Sequence, residues 1–491
     1  MIKKNKSVYL IYALLAIPLC MDLGGGDIFE VPKVIALKWI MTGLMVHLLV
    51  KWIQEKKITI QYSPVILIFS VFALISMTIA TVFSPYSIVA FWGSFYRQSG
   101  MLISMHFLLL YWSLVQIKIG KKQIQTVCMA IAAIGGIIGA IGIAQKAGWN
   151  WFSHEITAIL SGRPYSTLGN PTALGAYLIF PIFASFYLIF NQKKSRFLWI
   201  IALLTVLIAL LLTLNRATWL GIIAIVPLTL LHRNGYKKGF IAYGIGLLGS
   251  ITGGYLYFNP GIRSLLSRQE IWKTTLKIWV ENPLQIINGF GSETYQFWFE
   301  KWVKKDYFLY EDYTTLIDRV HNQPMQWLFD FGLGGLLLYL FIIWIVIKAW
   351  KRKDSDWELW MSGALIALGI SNLFGFHSST HSIYAIIALW IITLKFKTRQ
   401  IIIPLKWILL PILTSVFLLV SGSVLFTQNR ALKNAVILTS KGDYEEAVQQ
   451  AWKFKKWNPY DDTYPILIEN FLNSPIAGAM EPQLRLWNGI F

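Results

Sequence analysis

The stretch Arg319-Val-His321-Asn322-Gln323-Pro324 opens a run that stays apolar through Trp350, and nine residues after Asn322 come Gly332-Leu-Gly-Gly335. A predominantly apolar segment of this length reads as a membrane helix, because about 20 residues rising 1.5 Å each cross a hydrocarbon core roughly 30 Å thick. His321 therefore stands at the mouth of a membrane helix. The rest of the chain agrees with that reading. Its 491 residues are 56% hydrophobic and only 14% charged, with a mean hydropathy of +0.55. No soluble domain of this size has that balance, so the expected fold is all-α and polytopic, with about thirteen transmembrane helices. The expected spans are 8–22, 35–52, 64–83, 101–117, 124–145, 173–190, 197–213, 217–232, 239–257, 325–350, 357–374, 381–396 and 402–426. The first is read as an uncleaved helix, since Lys3, Lys4 and Lys6 precede an apolar run with no small-x-small cleavage site after it.

Cytoplasmic loops of membrane proteins carry an excess of Lys and Arg. With the N-terminus placed in the cytoplasm, every inner segment holds at least three basic residues, among them Lys51/Lys56/Lys57, Lys118/Lys121/Lys122 and Lys348/Lys351/Arg352/Lys353. These segments take half of the 44 basic residues, so the net charge of +20 is largely topological and not a nucleic-acid footprint. The odd number of spans puts the C-terminus outside. Cys20 and Cys128 fall in different spans, without the His or Cys neighbours that a metal site needs.

The outer side holds residues 84–100, 146–172 and a long loop at 258–323. They carry Arg97, Arg163, Arg263, Arg268 and Arg319, on the side where charge statistics make arginine scarce. An amphipathic helix is expected through Trp279, and Gly289-Phe-Gly291 marks a turn. A single arginine at a helix end ordinarily snorkels to lipid headgroups. Arg216 is different: it occupies a very short outer turn between long apolar runs, with no acidic neighbour, and a cation so placed tends to face a protein cavity. His377 and His381 are four residues apart but lack a third ligand. His321 by itself reads as a capping or headgroup-contact residue. A neutral imidazole can accept a proton from a hydroxyl, and arginine forks suit phosphate oxygens. Together these features point to a membrane enzyme for an anionic, lipid-linked substrate. With no Asp-x-Asp cluster outside, arginines rather than a metal would neutralise a pyrophosphate leaving group, so no metal and no cofactor are expected.

His321-Asn322, nine residues, then Gly332-x-x-Gly335 resembles the signature of the bacterial O-antigen ligase family and of the related O-antigen polymerases. Gly162-Arg-Pro-Tyr-Ser-Thr-Leu-Gly-Asn-Pro171, Leu214-Asn-Arg216-Ala and Arg268-x-x-x-Trp272 ahead of Pro283…Gly289-x-Gly291 add to the likeness. So do Phe29-Glu-Val-Pro-Lys33 and Gly93-x-x-x-Arg97-x-x-Gly100. The resemblance covers about residues 10–396. It implies a GT-C-like, metal-independent glycosyltransferase of the bacterial cytoplasmic membrane, working on the extracytoplasmic side with an undecaprenyl-diphosphate-linked glycan as donor. It implies that Arg216 and Arg268 hold the diphosphate, although Arg263 lies close enough in sequence to take that role, and that His321 activates or orients the acceptor hydroxyl. Arg97, Arg163, Arg319 and Asn322 are further candidates for substrate contact. The family commonly has Ser where this chain has Asn215.

Residues 1–426 form the expected transmembrane domain and 427–491 a small helical domain outside. In the latter, Ala435…Gly442-Asp-Tyr-Glu-Glu-Ala447…Asn458-Pro459 resembles one tetratricopeptide repeat, which cannot bury its own core. Ligase and polymerase share this donor chemistry and differ in acceptor. A non-enzymatic flippase would also explain the spans and the basic cavity, but it calls for no histidine at a helix mouth, and the chain shows none of the internal repeats usual in flippases. A polysaccharide-assembly scaffold is the third class. Lipid A core, a growing polymer, a protein hydroxyl and a cell-wall polymer all stay open as acceptors.

Overall fold

The computed structural model describes residues 7–149, 162–236, 262–311, 317–352 and 355–443, with a few further positions at 243–244 and within 446–450. In chain order the elements are α1 (Ser7–Ala16), α2 (Glu30–Glu55), β1 (Lys57–Tyr62), α3 (Pro64–Val82), α4 (Ser87–Trp92), α5 (Met101–Val115) and α6 (Lys121–Lys146). There follow α7 (Pro171–Tyr177), α8 (Ile179–Asn191), α9 (Arg196–Leu212), α10 (Arg216–Asn234), α11 (Ile262–Glu281), α12 (Pro283–Asn288) and α13 (Tyr295–Trp302). The last are α14 (Gln323–Arg352), α15 (Asp356–Ser371), α16 (Ser379–Thr393), β2 (Arg399–Pro404) and α17 (Leu409–Lys441).

Local signals start and stop these helices. Asn170 caps α7, its Oδ1 accepting from Thr172 N at 2.7 Å, and Pro171 sits at the first helical position, where its missing N–H is not needed. Asn215 caps α10 in the same way, and Gly235 ends it in a left-handed conformation. Six described helices are long and apolar enough to cross a membrane: Glu30–Glu55, Pro64–Val82, Lys121–Lys146, Pro171–Asn191, Gln323–Arg352 and Leu405–Lys441. Val8–Leu19, Met101–Val115, Arg196–Leu212 and Ser379–Thr393 are apolar but shorter. Described helices overlap the other expected spans, 239–257 lies outside the described residues apart from 243–244, and the chain is a mostly helical membrane protein with six candidate spans among the described residues. Glycines let the helices close up. Gly135 and Gly139 of α6 face Pro181 of α8 and Val206 and Ala209 of α9, the small-residue contact that membrane helices use where no hydrophobic force drives them together.

Two features depart from the sequence reading. The fold is not purely helical: β1 pairs antiparallel with β2, from Lys57↔Pro404 to Tyr62↔Arg399, at the end of the bundle away from His321. Each strand is a six-residue linker between spans, and each finds its partner only when α2 and α16 bring them side by side. Secondly, α14 is not one continuous helix from Pro324 to Trp350. It breaks at Gly332, whose φ of 63° and ψ of −157° are not helical. Beyond the expected boundary at 427, α17 continues without interruption to Lys441. Its buried Asn429 docks on the Gly24–Gly26 turn, accepting from Asp27 N at 2.8 Å and donating to Asp27 O at 2.9 Å. The second part of the tetratricopeptide-like stretch, 451–459, lies outside the described residues.

Candidate active site

The break in α14 builds the site. A Cβ on Gly332 would overlap the Ile287 carbonyl oxygen and lie 2.7 Å from Gly289 N; one on Gly289 would come within 2.8 Å of Gly332 N. Both residues have positive φ, so glycine is required twice over at one close approach of two backbones. The carbonyls freed by the break are taken up there: Phe290 N donates to Phe329 O at 2.8 Å and Gly291 N to Asp330 O at 3.0 Å. Gly289-x-Gly291 and Gly332-x-x-Gly335, two separate motifs in the sequence, are thus two sides of one junction. The short limb Gln323–Phe331 then begins at Asn322, whose Oδ1 accepts from Met325 N at 3.0 Å and whose Nδ2 donates to Leu373 O at 3.0 Å. Asn322 is a helix cap and strap. Next to it, His321 holds a left-handed φ of 54°, a conformation costly to a non-glycine residue and concentrated at functional sites.

Charges surround that imidazole. Arg97 Nε meets Asp318 at 2.8 Å, and Arg319 lies 3.7 Å from both Asp318 and Glu293. Arg319 Nη1 also donates to His377 O at 2.6 Å, and its guanidinium lies over the Phe376 ring at 4.7 Å. The same ring meets His321 edge-on at 5.6 Å. Arg97 is presented by a loop pinched where Gly93 and Gly100 touch backbone to backbone. Arg97 and Arg319 are therefore engaged with protein carboxylates and hold the loops around His321 together.

Arg268 and Arg216 are engaged differently. Arg268 rides on α11, one turn before Trp272, whose indole N–H donates to Val320 O at 3.0 Å and so fixes the helix beside His321. It donates to Ser264 Oγ at 2.7 Å, while its buried Nε has no partner. Arg216 is the exposed first residue of α10 and forms no ion pair among the described residues. The Arg216 charge reaches Arg268, and the Arg268 charge reaches His321. Burial first, and then Arg268, push the His321 imidazole well below its ordinary pKa, with Asp318 opposing. His321 is accordingly neutral at pH 7. Burial works against ionised Asp318, but Arg97 and Arg319 outweigh it and hold that carboxyl below its usual range.

Of the residues singled out from the sequence, Arg97, Arg268, Arg319, His321 and Asn322 converge, and Arg216 joins them through Arg268. Arg163 lies on the 162–170 loop, which Gln145 of α6 holds by accepting from Ser166 N at 2.6 Å, and it does not enter the ion network. The Phe29-Glu-Val-Pro-Lys33 stretch is scaffold. Buried Lys33 donates to the carbonyls of Cys20, Phe29 and Thr167, and Glu30 accepts from Ser379 N at 2.7 Å. His377 and His381 are not paired for a metal: His377 Nε2 bonds Asn372 at 2.9 Å and His381 Nε2 bonds Ala173 O at 2.9 Å. Among the described residues no group of three or more His, Cys, Asp or Glu is placed to hold a metal ion. Sequence reasoning missed Asp318, Glu293, Asp330 and Phe376. Asp318, adjacent to Arg319, was the one with a local signal.

The family model described as O-antigen ligase matches residues 172–340, a segment that contains Arg216, Arg268, His321, Asn322, Gly332 and Gly335. No curated protein matches the chain.

Proposed function

We propose, from the match of residues 172–340, which supports the O-antigen ligase superfamily, that the chain transfers a glycan from an undecaprenyl-diphosphate carrier to an acceptor hydroxyl on the extracytoplasmic side of the bacterial cytoplasmic membrane. The observation that carries this reading is the placement of neutral His321 beside Arg268, which in turn feels the Arg216 charge. Glu311 acts on Arg268, but neither arginine forms an ion pair among the described residues. Arg216 stands at the N-terminus of a helix, where backbone N–H groups and the helix dipole already favour an anion. It adds a planar donor fork for phosphate oxygens. Arg268 brings a second fork, with its buried Nε still to be satisfied.

The chemistry then follows. His321 takes the proton from the acceptor hydroxyl as its oxygen attacks the anomeric carbon. The bond from that carbon to the diphosphate oxygen breaks, and the electron pair leaves on the diphosphate, whose charge Arg216 and Arg268 stabilise. His321 returns the proton to water. A bound diphosphate would also offset the Arg268 charge that depresses His321, so donor binding strengthens the base just as it is needed. No metal enters the scheme. The lysine-rich linkers support about thirteen spans, with residues 258–323 outside.

The test is release of undecaprenyl diphosphate by purified protein given a lipid-diphosphate glycan and a membrane extract as acceptor. Turnover is expected from the wild type and a fall of about 10²–10⁴-fold from His321→Ala. Glycan crossing the bilayer with no release of carrier would make the protein a flippase instead.

A further inference from the structure

A cavity of about 640 Å³ opens beside the site, and the donor chemistry leaves it unused. It runs between α3, α5, α14, α15 and α16. Away from its mouth it is apolar, with Phe107, Leu108 and Leu389 among its walls and the exposed Leu340 and Ile347 along its open side. From Leu336 to Ile347 the wall formed by α14 is about 16 Å long at 1.5 Å per residue. The volume is that of an ordinary small-molecule pocket, and its shape suits a lipid chain.

The mouth is polar and built of Ser292, Glu293, Asp318, Arg319, Asp330 and His377. Ser292 is buried, and its Oγ and His377 Nδ1 have no hydrogen-bond partner. Buried polar atoms are seldom left unpaired, so both mark positions for polar atoms of a ligand. The charge balance says which kind. The arginines at the mouth are already matched: Arg97 pairs with Asp318, Arg319 is shared between Asp318 and Glu293, and Asp330 adds a third carboxyl to the lining. The arginines here leave no free charge for a diphosphate, whereas Arg268 and Arg216 form no ion pair among the described residues. Sugar hydroxyls fit, since carboxylates accept from them and a serine or neutral imidazole can complete the bonding. Phe376 lines the cavity and also touches His321, which puts a hydroxyl at the mouth next to the base.

We propose that this cavity is the acceptor site, and that the acceptor is a lipid with an uncharged, hydroxyl-rich sugar head whose chain lies between α14 and α16. The inference rests on the transferase reading for the word acceptor but not for the ligand. A photoreactive phenylalanine analogue at Leu389, in full-length protein reconstituted into phosphatidylglycerol vesicles, tests it. The vesicles also hold equal fractions of undecaprenyl phosphate and a diacylglycerol carrying a neutral disaccharide. Irradiation and mass spectrometry should show the disaccharide lipid cross-linked at least tenfold over undecaprenyl phosphate. A predominant polyprenyl adduct, or phospholipid adducts in proportion to abundance, overturns the assignment. Gly369 lines the cavity, and a Cβ there meets nothing within 4 Å. Gly369→Phe should therefore fold, lose the adduct, and raise KM for the sugar-lipid acceptor at least tenfold with donor KM unchanged. An unchanged adduct, or a rise in donor KM alone, overturns it too. The adduct forms without turnover. Wild-type protein that releases no undecaprenyl diphosphate would end the transferase reading while leaving the lipid assignment intact.

Discussion

Gly332→Ala perturbs the junction on which the site depends. The native φ of 63° with ψ of −157° lies in a region essentially restricted to glycine, where another residue costs on the order of 1–3 kcal/mol. The added Cβ also meets Ile287 and Gly289 backbone atoms, which cannot rotate aside as a side chain would. To relieve that overlap, residues 287–291 must move off α14. The bonds from Phe290 N to Phe329 O and from Gly291 N to Asp330 O are then lost, at about 1 kcal/mol each. The sum is about 3–5 kcal/mol. It falls on the element that carries Asn322 and His321 at one end and the Asp330 side of the cavity mouth at the other. Thermal unfolding in detergent, with glycan transfer measured on the surviving folded fraction, reads both consequences. Leu333→Ala, at an exposed neighbour, serves as the control. Gly332→Ala should unfold several degrees earlier than the control and transfer at least a hundredfold more slowly. Wild-type stability and rate in Gly332→Ala would refute the glycine-junction account.

Arg216→Lys, which keeps the charge but loses the bidentate fork, should weaken donor binding as well as turnover in equilibrium binding and initial-rate assays. His321 has a depressed pKa, so it stays neutral and able to accept a proton below the ordinary histidine range. The acid limb of kcat/KM should lie well under pH 6.5, and Arg268→Gln should move it upward by removing one depressing cation, whatever the loss in rate. Turnover should survive EDTA; loss restored by Mg²⁺ or Mn²⁺ would count against arginine-only stabilisation of the leaving group. Cysteines introduced at exposed Glu300 and Lys194 should label with an impermeant maleimide in intact cells at the first position and not the second.

Sequence and structure divided the work along a physical line. The spans were legible because crossing a bilayer is a local requirement, met by some twenty apolar residues and announced by neighbours such as Asn170-Pro171 or Asn215. His321 and Arg216 stood out for the same reason, as polar side chains at the ends of apolar runs, and Arg268 through the likeness of Arg268-x-x-x-Trp272 to the family's motif. Asn322 was noticed with them, but its role is that of a cap, which only its bonds to Met325 N and Leu373 O reveal.

The sequence alone determined that this is a helical membrane protein with a histidine and arginines gathered at one end, since hydrophobic transfer and charge placement act residue by residue. Only the tertiary structure decided the break in α14, because it comes from Gly289 and Gly332 meeting across more than forty residues of chain. It also decided that Arg97 and Arg319 are held by Asp318 and Glu293, and that Asp330 joins those carboxylates at a cavity mouth. The pairing of β1 with β2, far apart in the chain, belongs with these. Ion pairs, strand pairs and cavities are relations between segments, and no periodicity or composition within one segment encodes its partner.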